Sequence, residues 1–347
     1  MAKVVATSQT TRRPAIAGLR FLILRRELTA IAACIGVFAF FAITAGSTGF
    51  LTMVATRNVL EVAADIGIIA APITLLLIAG EFDLSIGSML GAAQTIVAYT
   101  IIFLHWPLVA AFGCAVAVAC VVGAINGLIV VKTGLPSFIV TLAALFAIRG
   151  LSQGTLRGLT NATQIGNLRE TLQSDPFLRF FDGHLWGLPL DLFWWAAIVV
   201  ATAWILDRTK FGNWIYASGG SLDSALRRGV PVHRLKVILY MATAVSAVVV
   251  ATLNIFAINQ SDVNAGLGRE FEVVTAAVIG GALLTGGFGS PIGTAFGALL
   301  FGMVIQGFFF TDIPDVWYQV FLGGMLLLSV LINKQFRELA VRSAIKL

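Results

Sequence analysis

Charged residues are scarce in this sequence. Across 347 residues there are 23 Lys and Arg and 17 Asp and Glu, 12% in all. Soluble domains carry about twice that share. The chain therefore has too little polar surface to coat one or two water-soluble domains, and a bilayer is the fitting solvent. Cysteine is scarce too. Cys34, Cys114 and Cys120 all fall in apolar runs, with neither disulfide-framework nor metal-ligand spacing, and read as small buried hydrophobes. The three histidines, His105, His184 and His233, sit in separate loops and form no H-E-x-x-H pattern, so no metal site is expected. No G-x-x-x-x-G-K-[ST] loop occurs, so nucleotide hydrolysis would have to come from another chain. Nothing assembles a nucleophile, base and orienting group, and an enzyme is not expected. The net charge is +6 and the pI about 9.5. The basic residues lie between apolar runs rather than in one patch, so they read as topology signals and not as a nucleic-acid surface.

What the chain has in quantity is apolar sequence, 58% of residues, with a mean hydropathy of +0.93. The reading is an all-α polytopic membrane protein of about ten spans: 28–46, 62–79, 84–104, 107–131, 135–156, 191–206, 237–258, 273–286, 290–311 and 316–333. The uncharged run 28–46 is longer than a signal-peptide core and reads as a retained first helix. Residues 273–311 carry no charge and are too long for one span; the "GGFGSP" stretch at 286–291 divides them. With both termini cytoplasmic, the basic segments 1–27, 207–236 and 334–347 fall on the positive-inside face. Only the acidic turn 80–83 runs against that rule. Trp106, Trp186, Trp194, Trp195, Trp317 and Tyr318 lie near expected span ends, as interfacial anchors do. The domain reading is a tail 1–27, a membrane domain 28–333 holding the loop 207–236, and a tail 334–347.

Several residues stand out against this background. "IAGEFDLSIGSMLG" (78–91) sets Glu81 and Asp83 among Gly80, Gly87 and Gly91. Acids at membrane depth cost about 2.5–3.5 kcal/mol each on insertion scales. Asp83 and Ser85 could cap the helix that follows, while the two acids could instead line a pathway or inner gate, or relay protons. "GGALLTGGFGSPIGTAFGALLFG" (280–302) reads as close packing, with Gly293, Gly297 and Ala298 as a small-residue face. The other reading is a broken helix facing a water-filled cavity. Arg149 lies inside a span, where an arginine pairs, faces a cavity or snorkels. Asn126 suits a helix–helix hydrogen bond. In 207–236, Ser221 or Asp223 would cap a short helix over "DSALRRG", ended by Gly229 and Pro231. The residues alone leave two transport classes open: a subunit driven by a separate ATPase, or an ion-gradient-driven secondary transporter using Glu81, Asp83 or Arg149.

Four stretches in order resemble the permease subunit of ribose-type ABC sugar importers. They are "GEFDLSIGS" (80–88), "GAINGLIVVKTGLPSFIVTLAALFAIRGL" (123–151), "TKFGNWIYASGGSLDSALRRGVPVHRLKVILY" (209–240) and "NAGLGREFEVVTAAVIGGALLTGGFGSPIGTAFGALL" (264–300). The resemblance spans about residues 57–333. It implies a type II importer-like fold in a bacterial inner membrane. It also implies a cytoplasmic ABC ATPase that uses the ATP, a periplasmic sugar-binding protein, and a second permease copy or paralogue. This chain itself would bind no cofactor. The ATPase-coupling residues so implied are Ser221, Asp223, Ala225, Arg227 and Gly229. Pathway or helix-break candidates are Gly80, Glu81, Asp83, Ser85, Gly87, Asn126, Arg149, Gly286, Gly287 and Gly289. Glu81 departs from the family pattern, which has an uncharged residue there. Ser224, Arg227 and Arg228 depart from the usual coupling-loop composition.

Overall fold

In the membrane, helices are held together less by the hydrophobic effect than by van der Waals packing and interhelical hydrogen bonds. The fold follows where small residues let backbones approach. A computed structural model describes residues 28–344 except 312 and 315, with side chains described for residues 30–331 apart from these two. The basic tail 1–27 and the side chains of 334–347 lie outside the described residues.

The helices, in chain order, are α1 (Leu28–Thr44), α2 (Met53–Ile78), α3 (Ile86–Ile102), α4 (Leu108–Thr133), α5 (Ser137–Thr160), the one-turn α6 (Leu168–Thr171), α7 (Leu190–Arg208), α8 (Lys210–Gly220), α9 (Leu222–Arg227), α10 (Val232–Ala257), α11 (Arg269–Ile279), α12 (Pro291–Phe309) and α13 (Trp317–Ala344). Each of the ten expected spans contains a helix. Six of these helices, α2, α4, α5, α7, α10 and α12, are long and apolar enough to cross a membrane by length and composition.

Burial sorts them. The hydrophobic windows of α2 and α10 are 83% and 72% buried, those of α5 and α7 only 22% and 11%. α2, α3 and α10 therefore form the centre, and α5 and α7 the periphery. α10 lies against α4 because Gly123 and Gly127 leave no side chain there. A Cβ on Gly123 would come within 2.5 Å of the Tyr240 carbonyl oxygen. α12 meets α11 in the same way, through Gly293 against Gly280 and Gly297 against Ala276. The small-residue face read from the sequence is thus a packing face.

The connections gather at two ends. At one end Phe82 N donates to Ser137 Oγ (3.0 Å), and Gly287 N donates to the Ile78 carbonyl (2.8 Å). At the other, β1 (Gln164–Gly166) pairs antiparallel with β4 (Gln260–Asp262), Ile165 opposite Ser261. Arg169 N there donates to Asn259 Oδ1 (2.9 Å). The hairpin of β2 (His184–Leu185) and β3 (Leu188–Pro189) leads into α7.

The structure corrects several boundaries. α2 starts at Met53 rather than 62, because Thr52 caps it by accepting from Ala55 N (3.2 Å). Segment 207–236 is not one loop. It folds into α8 and α9, and α10 begins already at Val232. The buried residues of α8 are Gly212, Ile215 and Ser218, mostly small, so it lacks the large apolar stripe that would reveal a helix. α11 ends at Ile279, short of 286, in a turn where Gly281, Gly286 and Gly287 have φ of 94°, 79° and 77°. α13 runs as one 28-residue helix past 333. The Trp195 indole lies over Gly67 of the central helix α2.

Candidate coupling and pathway site

The turn after α2 brings the paired acids inward. Gly80 takes a φ of 87°, which an L side chain resists. Glu81 then forms an ion pair with Lys236 at the start of α10. Both partners are nearly buried, with side chains 9% and 12% exposed. Asp83 is buried and does not cap α3. Its Oδ1 accepts from Ser85 N (2.9 Å) and Ser85 Oγ (2.6 Å), and its Oδ2 from Thr243 Oγ1 (2.7 Å). Ser85 is the residue at the N-cap position, but its side chain makes no cap hydrogen bond; it donates to Asp83 instead. Asn126 Nδ2 donates to Ser85 Oγ (3.0 Å), joining α4 to the same group. Tyr240 Oη donates to the Phe82 carbonyl (3.0 Å). The 80–88 element is thus a polar clasp between α2, α3, α4 and α10. A fully satisfied buried network of this kind fixes one arrangement.

Next to the clasp lies a junction almost free of side chains. Gly219 of α8 sits against the C-terminal carbonyl of α2. A Cβ there would be 1.7 Å from the Ile78 oxygen and 2.6 Å from Gly287 N. Gly286 approaches Gly80 and Gly219, and Gly289 faces the Ile78 side chain. The broken helix does not leave its backbone groups to a cavity. Besides Gly287 N, Gly281 N reaches Val278 O (3.0 Å), Ala282 N reaches Ala277 O (3.0 Å) and Leu283 N reaches Phe288 O (3.0 Å).

α9 follows directly. Ser221 caps it, accepting from Ser224 N (3.4 Å), and Gly229 ends it with a φ of 78°. Ala225 packs inward, while Leu222 and Leu226, four residues apart, are 43% and 44% exposed. Asp223 lies in the first turn of α9 and Arg227 in its last, as the helix dipole favours.

Arg149 and Gly87 belong elsewhere, with α11. Arg149 Nη2 lies 4.0 Å from Glu270 Oε1. Arg149 Nη2 and Glu270 Oε2 are buried without a hydrogen-bond partner among the described residues. Gly87 makes room for the Glu270 carboxylate and the Gly266 carbonyl. The pathway candidates therefore divide into two groups: the clasp with the glycine junction at one end, and Arg149 of α5 with Gly87 of α3, both beside Glu270 of α11.

Sequence reasoning missed Lys236, Tyr240, Thr243, Gly219 and Glu270. Lys236 was legible only as one more basic loop residue. Thr243 and Tyr240 fall on the face of α10 that meets 82–85, a pairing no spacing within α10 announces. Reasoning also missed a chain of polar groups beside α11. Arg269 Nη1 donates to Glu272 Oε2 (2.8 Å), and Tyr318 Oη donates to Glu272 Oε1 (3.0 Å). With its amide turned to donate, Asn254 reaches Asp65 Oδ2 (2.9 Å). Among the connecting segments, Asn259 Nδ2 donates to both oxygens of Glu170 (3.0 Å each), and this holds the Glu170 carboxyl below its ordinary value. Among the described residues no group of three or more His, Cys, Asp or Glu could hold a metal ion.

Residues 55–330 match the profile of the family described as branched-chain amino acid transport system / permease component. The ribose import permease protein RbsC of Escherichia coli K12 is 30% identical, covering 83% of this chain and 88% of its own length. The xylose transport system permease protein XylH of the same organism is 29% identical, covering 86% and 89%. RbsC of Haemophilus influenzae is 26% identical, covering 90% and 93%. The match begins two residues into α2 and ends within α13, so it includes the clasp, the glycine junction and α9. The chain belongs to the branched-chain amino acid transport system / permease component family.

Proposed function

We propose that this chain is the membrane-spanning subunit of an ATP-binding cassette importer. It carries a sugar or sugar-like small molecule across a bacterial inner membrane. A separate cytoplasmic ATPase supplies the energy, and a periplasmic binding protein delivers the substrate. The observation that carries this reading is α9. It is a capped six-residue helix presenting two leucines and a basic end outward, seated on α8, which in turn rests on α2 without a side chain between them. Such a knob suits a groove on a protein partner better than it suits solvent. The relatives named for ribose and xylose support the sugar class; none supports gradient-driven transport.

In this reading the ten expected spans lie in the membrane, α11 completing its passage with the non-helical turn that follows it, and the clasp, the glycine junction and α9 lie at the cytoplasmic end. ATP binding draws the ATPases together, α9 moves with them, and the junction passes the motion to α2 and the 280–290 turn. A second copy of the chain completes the pathway. Supporting that is the outer face of α5. A Cβ on Gly150, Gly154 or Gly158 would meet nothing within 4 Å, an open small-residue stripe for close helix contact.

The test is a pull-down from gently solubilised membranes. Wild type should bring down an ATPase. The double variant Asp223→Lys with Gly229→Trp should lose it. Wild-type protein that captures no ATPase, or uptake by this chain alone in proteoliposomes without ATP, would refute the reading.

A further inference from the structure

Beside the Arg269–Glu272–Tyr318 chain lies a cleft of about 740 Å³, between the start of α11, the end of α12 and the start of α13. It lies at the end opposite α9, since β4 and the loop into α11 belong to that end. Its size falls within the roughly 300–1,000 Å³ of small-molecule sites.

The lining is chemically specific. Arg269 and Glu272 supply one cation and one anion, already paired with each other, so the wall carries no net charge from them. Both Glu272 oxygens hold one donor each and keep lone pairs for more. Arg269 uses one of its five N–H groups on Glu272. Gln306 and Gln319 add two amides, each both donor and acceptor, and Tyr318 a phenol. Phe308 and Ile305 give an apolar flank. A charged solute would meet an equal and opposite pair, and an apolar one would strand these polar groups. A neutral polyhydroxylated molecule satisfies both requirements. Its hydroxyls exchange donors and acceptors with the amides and the ion pair, and its C–H face rests on the ring and aliphatic side chain.

We propose that the cleft formed by Arg269, Glu272, Gln306, Tyr318 and Gln319 is the first binding station for a neutral polyol or sugar entering from the end opposite α9. This deepens the importer reading and rests on it. Gln306 and Gln319 are the ligand contacts that can be removed with least damage, because the ion pair and Tyr318 also join α11 to α13.

The experiment uses the permease assembled with its ATPase and binding protein in proteoliposomes, with labelled D-ribose and D-xylose as probes. Two quantities are read together: ATPase stimulation by loaded binding protein, and sugar taken up per ATP hydrolysed. For Gln306→Ala with Gln319→Ala, stimulation should hold while uptake per ATP falls about tenfold, the loss expected for two hydrogen bonds. Gln306→Asn with Gln319→Asn, which keeps the amides, should recover part of it. Unchanged uptake per ATP in the double alanine variant, with wild type active, overturns the binding station and leaves the importer reading standing. Wild-type complexes without stimulation or uptake of either probe overturn both.

Discussion

Gly219 and Gly220 are neighbours in α8, yet alanine should affect them in opposite directions. At Gly219 the new methyl would sit 1.7 Å from the Ile78 oxygen, half the 3.4 Å at which ordinary contact begins. The obstacle is backbone on both sides, so no side chain can swing away. The segments must part, and the 2.8 Å bond from Gly287 N to Ile78 O parts with them. Overpacking costs about 1–3 kcal/mol. A buried N–H left without an acceptor adds about 1–3 kcal/mol. Gly219→Ala should therefore destabilise by about 2–6 kcal/mol. At Gly220 a Cβ meets nothing within 4 Å. Gly220→Ala should be neutral or stabilise by up to about 1 kcal/mol through helix propensity. Unfolding of the detergent-solubilised protein in sodium dodecyl sulfate, followed by tryptophan fluorescence, compares the two. Midpoints for Gly219→Ala and Gly220→Ala that agree within about 0.5 kcal/mol would refute the side-chain-free junction.

Three further outcomes are expected. Asp83→Ala strands the Ser85 amide and hydroxyl, while the Thr243 hydroxyl keeps the Tyr240 carbonyl, and should cost at least about 2 kcal/mol in the same titration; Asp83→Asn, which keeps one acceptor oxygen, should cost less, and the reverse order would contradict the clasp. A double-mutant cycle on Glu81→Gln and Lys236→Met should give a coupling energy of about 1–3 kcal/mol that survives high salt, since the pair is shielded from solvent; a value near zero would make the pair incidental. Glu170 is held below its ordinary value by Asn259, so its tie contributes fully above the ordinary carboxylate range and is lost as pH falls through the lowered value. The difference in thermal midpoint between wild type and Glu170→Gln should therefore be present at neutral pH and vanish in acid, and a difference that grows in acid would reverse the sign of the argument.

Much of the helix inventory was legible because ten apolar runs are hard to hide. The short helix α9 was legible too, because Ser221, Gly229 and Pro231 punctuate it locally. Other features were not. α8 buries glycine, serine and a single isoleucine, so periodicity is silent there. The start of α2 depends on a threonine cap well before the apolar run. The clasp was half legible. Asp83, Ser85 and Asn126 drew attention as polar residues in apolar surroundings, while Thr243 and Tyr240, which complete it, are unremarkable members of α10. Arg149 stood out as an arginine that pairs, faces a cavity or snorkels, and only the fold brings it beside Glu270, 121 positions away in the chain. Tertiary pairing of ordinary residues leaves no trace in local sequence pattern, whereas isolated residues of the wrong polarity do.

α11 has 11 residues, so it rises only about 16 Å. That is roughly half of a 30 Å hydrocarbon layer. An insertion machinery meets residues 273–311 as one uncharged stretch, with no polar loop to hold back between α11 and α12. The two helices and their glycine turn must therefore enter the bilayer as one hairpin rather than one after the other. A polar tag placed within 283–290 would split that one stretch, so during synthesis this turn behaves as the interior of a single insertion unit and not as a loop between two.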